Sequence, residues 1–177
     1  LVRDAEAPVR AQERAIQELR GALQGELADM QARAERVAAY GEVRVALVAD
    51  SAQVSGTAIE ALDALNVGPR DAVEVYSSDR QRVAWTGFVF PLRRGAIPDT
   101  IVSRTVLDAL GRRALVVWEP VRADSQLVGA VRVVRLAQAT VPVRNQYLQD
   151  YDLSDAWRSE VSRPFAVNFI PRSEPPS

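Results

Sequence analysis

Apolar residues recur at two different periods along this chain. Between residues 8 and 40 the period is helical. Val9, Ile16, Leu23, Met30 and Val37 stand seven positions apart, two turns of an α-helix, and so share one face. Pro8 suits the first turn, where its missing N–H is not needed, and Gly41 suits the stop. A companion seam starts well at Leu19. It then meets Glu26 and Arg33, with Leu27 and Ala34 one position further on, and Gly21 and Gly25 weaken the helix slightly. The pattern predicts a narrow-striped helix that packs on its own domain for part of its length. A stalk that pairs with a second copy is the other use of such a stripe.

Beyond Gly41 the pattern shortens. Residues 43–49, VRVALVA, read as a buried strand. Residues 57–65, TAIEALDAL, have helical spacing, with Asp50 and Ser51 ahead of them as caps and Asn66-Val67-Gly68-Pro69 as the break. Val73 and Val75 then alternate, Ser77-Ser78-Asp79-Arg80-Gln81 turn, and 82–90 run back, which is a hairpin. Residues 99–110, DTIVSRTVLDAL, read as a short helix between Asp99 as cap and Gly111 as stop. Residues 113–122 and 127–136 form a second hairpin around Ala123-Asp124-Ser125-Gln126, with Pro120 implying an edge or a bulge. The order after the long helix is β–α–β–β–α–β–β, an α+β fold with five mainly antiparallel strands and helices packed on the sheet. The chain divides into a long helix (1–41), a core (42–137) and an extension (138–177). The extension holds a helix around 153–161, capped by Asp152 or Ser154, and a short strand, AVNFI. Its apolar residues, Tyr147, Leu148, Tyr151, Leu153 and Trp157, are too many for a free linker, so it is expected to dock on the core or to begin a neighbouring module.

Composition narrows the chemistry. All 22 basic residues among the 177 are arginine, and lysine, histidine and cysteine are absent. That excludes cysteine and serine–histidine nucleophiles, histidine or cysteine metal sites, Schiff bases and the lysine of a phosphate loop. No cofactor and no metal are expected, and the chain is not read as an enzyme. A net charge of -1 supplies no field for nucleic acid. No apolar run reaches the roughly 18 residues of a membrane span. The start LVRDAEAP, without Met, reads as a cut from a longer protein.

A long helix, strand, helix, hairpin, helix and hairpin over 8–136 resembles the extracytoplasmic PAS-like sensor domains of bacteria, the Cache family. Two local runs carry the resemblance: VEVYSSDRQRVAWTGF, with its V-A-W-x-G, and LVVWEPV…LVGAVRVVR, with a glycine early in the second strand. The resemblance implies the periplasmic portion of an inner-membrane receptor, such as a histidine kinase of a two-component system. It implies a small-molecule pocket, signal transfer through the long helix and dimers formed by it, with membrane attachment only through flanking segments. The other readings are a structural or interaction module with a coiled-coil stalk, and a cytoplasmic PAS- or GAF-like regulatory domain.

A pocket in such a domain lies between the sheet face and the loops over it. The pleat puts Val83, Trp85, Gly87 and Val89 on one face of their strand, and Ala114, Val116 and Trp118 on one face of theirs. Trp85 and Trp118 thus become the candidate aromatic wall, with Tyr76 at the turn and Gly87 where a backbone or ligand comes close. Arg104, with Arg93 and Arg94 before it, is the candidate contact for an organic acid or amino acid. Asp79, Asp99 and Asp124 read as turn or capping residues. Glu119, an acid in an apolar strand, needs a partner, and Arg132 on the next strand would serve.

Overall fold

The computed structural model describes residues 3–49, 52–90, 97–107, 111–140, 150–158, 161 and 165–169. Helix α1, Arg3–Ala38, has 36 residues and is therefore about 54 Å long. The seven-residue stripe divides it. Met30 and Val37 are 1% and 0% exposed, whereas Val9 and Ile16 on the same stripe are 55% and 41% exposed. Leu19, Ala22, Leu23 and Leu27 form the transition, half-buried against the core. The helix therefore packs on its own sheet through its C-terminal half and carries apolar surface in its N-terminal half.

Helix α2, Gly41–Ala49, corrects the expectation of a strand over 43–49. Val43, Ala46 and Leu47 are buried while Val45 and Val48 are exposed, which is the i, i+3, i+4 spacing of one helix face. The β preference of three valines amounts to a few tenths of a kcal/mol each. Packing of that face outweighs it, and the Arg44 N–H donates to the Tyr40 carbonyl at 3.1 Å to start the helix. Helix α3, Ala52–Asp63, covers most of the predicted segment and buries Ala58 and Leu62, four residues apart.

The strands are β1 (Asp71–Ser77), β2 (Arg82–Gly87), β3 (Val102–Leu107), β4 (Arg113–Ala123), β5 (Gln126–Ala139) and β6 (Tyr151–Asp152). They form one antiparallel sheet in the order β2-β1-β5-β4-β3, with β6 paired to the end of β5. Both predicted hairpins are present. The predicted helix over 99–110 is not: Val102–Leu107 is the edge strand β3, and 108–110 lie outside the described residues. Val102, Thr105 and Val106 are β-branched, which favours a pleated neighbour. β4 supplies one from Trp118 to Arg113. Pro120 sits past the last β3 pairing, where β4 is itself an edge.

The helices cover one sheet face. Val73, Val75, Ala84, Leu115, Val117, Val131 and Val133 meet residues of α1, α2 and α3 there. α2 approaches β5 so closely that a Cβ on Gly129 would lie 2.8 Å from a Leu47 methyl and 2.2 Å from the Tyr76 carbonyl oxygen. The extension joins the same core. Leu153, Trp157 and Phe169 are buried in it, with Tyr151, Phe165 and Val167 packed alongside. Helix α4, Ser154–Trp157, is shorter than the predicted 153–161. The Asp152 carboxylate accepts from the Ser154 N–H at 2.9 Å and its hydroxyl at 2.7 Å. Residues 165–169 pack without pairing as a strand, and Ile170, Tyr147 and Leu148 lie outside the described residues.

Candidate functional site

The opposite sheet face holds a second, smaller core: Ala72, Tyr76, Ala114, Val116, Trp118, Ala130 and Val134, overlain by Phe88, Phe90 and Ile97 from the connection between β2 and β3. Cross-strand register builds its centre. Trp85 stands opposite Glu74, Glu74 opposite Arg132, Arg132 opposite Trp118, and Trp118 opposite Val102. One row thus crosses all five main strands and puts both tryptophans on one face. They do not meet, because two strands separate them and the Glu74–Arg132 pair stands between.

Glu74 and Arg132 are fully buried and joined in an ion pair. A buried charge must be neutralised and hydrogen-bonded to be tolerated, and the surroundings do both. Arg132 donates to the Phe90 carbonyl at 2.7 Å, and Glu74 accepts from the Tyr76 hydroxyl at 3.0 Å and from Arg82 at 3.4 Å. The guanidinium lies 5.4 Å from the Tyr76 ring centre and 5.6 Å from that of Trp118, and the two rings are 5.5 Å apart. Burial, and then the charge of Glu74, push the Tyr76 phenol well above its ordinary range, so the hydroxyl stays a donor. The Trp118 N–H is buried without an acceptor among the described residues.

Of the residues singled out in the sequence, Tyr76 and Trp118 come together here. Trp85 lies at the rim of the row, 42% exposed, with the Arg82 guanidinium 4.7 Å from its ring centre. Gly87 serves the backbone. Its φ is +86°, and a Cβ there would fall 2.1 Å from the Asp71 carbonyl oxygen, so β1 itself fills the space beside it. Arg104 stands opposite Val116 in β3; its side chain, like Arg93 and Arg94, lies outside the described residues. Glu119 is not the partner of Arg132: it alternates onto the helix face, and Glu74 takes the guanidinium. Glu74 and Arg132 went unmarked as a pair in the sequence. The available signal was a charge inside each of two valine-rich strands, VEV and VRVV, since such a charge requires an opposite one.

A second charged cluster fastens α1 to the sheet. Asp71 of β1 accepts from Arg135 of β5 at 2.8 and 2.9 Å and from Arg33 of α1 at 3.1 Å. Arg135 also pairs with Glu26 of α1. Burial alone would raise the Asp71 carboxyl, but the guanidiniums of Arg135 and Arg33 outweigh it and hold it below the usual carboxylate range. Glu26 and Arg33, the residues that spoiled the coiled-coil seam, are the ones the sheet uses. A cleft of about 260 Å³ adjoins this cluster, and Arg70 caps the Tyr151 ring there at 3.9 Å.

Among the described residues, no group of three or more acidic side chains is placed to hold a metal ion, and no helix is long and apolar enough to cross a membrane. No protein-family model and no curated protein matches the chain.

Proposed function

We propose that this chain is the extracytoplasmic sensing domain of a bacterial two-component sensor kinase, receiving a small organic ligand on one sheet face and relaying its presence through α1. The observation that carries this reading is the division between the two faces. One is keyed to a 36-residue helix by Asp71, Arg33, Arg135 and Glu26; the other holds buried aromatic rings, one guanidinium and an indole N–H without an acceptor among the described residues. Rings and a few polar groups are what a small-molecule site is made of. The organic acid or amino acid of the proposal offers the acceptor that Trp118 lacks. Signal transfer follows if the ligand favours one placement of the sheet against the helix over another. The exposed Val9 and Ile16 are the surface by which two copies would join through α1, with membrane segments flanking the chain.

A thermal-shift screen against organic acids and amino acids tests the ligand. A compound present at about a hundred times its Kd stabilises by roughly 2.7 kcal/mol, and a domain of this size moves about 2–4 °C per kcal/mol. Trp118→Phe removes the indole N–H and leaves a smaller, six-membered ring. Deleting an unsatisfied buried donor offsets part of the cavity that the smaller ring leaves, so the variant should lose less than the roughly 3–5 kcal/mol of a Trp→Ala change, and it should weaken the response to the compound. If no compound shifts Tm, or Trp118→Phe responds as fully as the parent, the ligand reading fails on this face. The structural-module reading draws on a different observation: the guanidinium of Arg132 is already held by Glu74 and Phe90, so the chain's own side chains occupy the centre of the face.

A further inference from the structure

We propose that Glu119 is a proton-controlled clamp on the end of α1: when neutral it lets the last turn of the helix close on β4, and when ionised it repels Glu35 and props that turn away. The proposal concerns the helix face of the sheet and stands whether or not a ligand binds the other face.

The geometry begins with register. Glu119 lies opposite Val131, which belongs to the helix-side core, so the pleat turns Glu119 toward α1 and α2. Its Oε2 is buried and has no hydrogen-bond partner among the described residues. A cleft of about 490 Å³ opens at this junction. Glu35 of the last turn of α1 lines it together with Glu119, and Ala38, Ala39, Ile101 and Val121 make its walls apolar. The other charged groups lining it are Arg44 of α2 and Arg122 of β4, and both are engaged with carbonyls. Arg44 donates to Ala38 at 3.2 Å, and Arg122 donates to Asp99 at 3.0 Å and Ser125 at 3.1 Å. β5 contributes only Val131 opposite Glu119. The carboxylate thus shares this cleft with a second carboxylate, that of Glu35, which is exposed and accepts from the Gln31 amide at 2.9 Å, and the two like charges favour the protonated form of the more buried one.

The direction of its titration agrees. Burial first, and the charge of Glu35 second, raise the Glu119 carboxyl above its ordinary value of 4.5. With the folded value above the unfolded one, the contribution of Glu119 to stability falls as pH rises from about 4.5 to the raised value and is level above it. The Asp71 cluster behaves oppositely. Its carboxyl is held below 3.8, so it stays ionised throughout that window. Mild acidification therefore acts on one end of α1 and leaves the middle fastened.

The test uses the whole chain as described, with Glu119→Gln as a mimic of the neutral form and Glu35→Gln as a variant that removes the opposing charge. Melting temperatures at pH 8, 6.5 and 5, and amide exchange at residues 35–40 corrected for its intrinsic pH dependence, are the readouts. The parent should gain about 3–5 °C from this site for each pH unit by which the Glu119 carboxyl is raised, with slower exchange in the last turn at pH 5. Glu119→Gln should hold the gain already at pH 8, and Glu35→Gln should lose part of the dependence. Carbon NMR of the Glu119 carboxyl in the parent needs no variant, so a poorly folding variant leaves the question decidable. A carboxyl that titrates at or below its ordinary value, or a Glu119→Gln protein that keeps the parent's pH dependence, overturns the proposal.

Discussion

Arg132 illustrates how one side chain organises a sheet face. Its charge is buried only because Glu74 stands opposite, the Phe90 carbonyl accepts its far nitrogen and two rings flank it. Removing one member of such a pair leaves the other uncompensated, at a cost of about 3–5 kcal/mol, whereas apolar replacement of both is often neutral. Arg132→Met should therefore lower stability by about that amount in urea titrations, and Arg132→Met with Glu74→Leu should recover most of it. A double variant no more stable than the single one would mean that hydrogen bonds to Phe90 and Tyr76, and not charge balance, dominate. Of this cluster, Trp118 was legible as half of an aromatic wall with Trp85, and Tyr76 as a residue near the turn, but not their meeting, because β5 lies between their strands. The ion pair was harder to read, because pairing depends on which strands adjoin. β1 and β5 are neighbours in space but lie about fifty residues apart in the chain, and no local pattern carries that adjacency.

At the scale of elements, local propensity was a sound guide where it agreed with tertiary packing. α1 and both hairpins had periods long enough to be unambiguous. VRVALVA was misread because its valines argue for a strand, while its buried positions, Val43, Ala46 and Leu47, follow a helical interval that seven residues barely establish. DTIVSRTVLDAL failed the other way: Val102, Thr105 and Val106 had to pair with β4 before their strand could exist. The division within α1 was legible in outline, since a stripe with an incomplete second seam implied packing over part of its length. Its location was not, because Val9 and Met30 look alike until the sheet is in place. Met30→Ala should cost about 2–5 kcal/mol as a cavity in a packed core, and Ile16→Ala, on the same stripe, about 0.5 kcal/mol or less in a dilute sample. Denaturation at two protein concentrations checks this. A large cost for Ile16→Ala that appears only at high concentration would place a second copy on that surface.

For the whole molecule, the described residues after β5 pack on the same sheet. Leu153, Trp157 and Phe169 enter the same core as α1, and β6 pairs with the end of β5. Acid stability follows from the charges that join these parts. Asp71 is held below its ordinary 3.8 by Arg135 and Arg33. A lowered folded value contributes stability above the unfolded one and loses it as pH falls through the range below 3.8. The parent should therefore destabilise steeply below about pH 4. Asp71→Asn should be less stable at pH 7 by roughly 1.5–3 kcal/mol, the range for hydrogen bonds to a charged group, and should show a shallower acid limb in urea titrations at pH 7, 4 and 3. An unchanged acid limb would move the responsibility to other carboxylates.

The fastening of α1 by Glu26 and Arg33 constrains how that helix can move. Each residue of an α-helix is turned about 100° from the last, so the two charges fix the azimuth of the rod as a key fixes a shaft. Rolling α1 about its axis would tear both contacts from Asp71 and Arg135 at once. Rocking about them would strain neither greatly, and the fulcrum would sit in the C-terminal half of the helix. The part of the helix N-terminal to that fulcrum then forms the long arm of a lever, and a small displacement at Glu35 becomes a larger, opposite displacement at Val9.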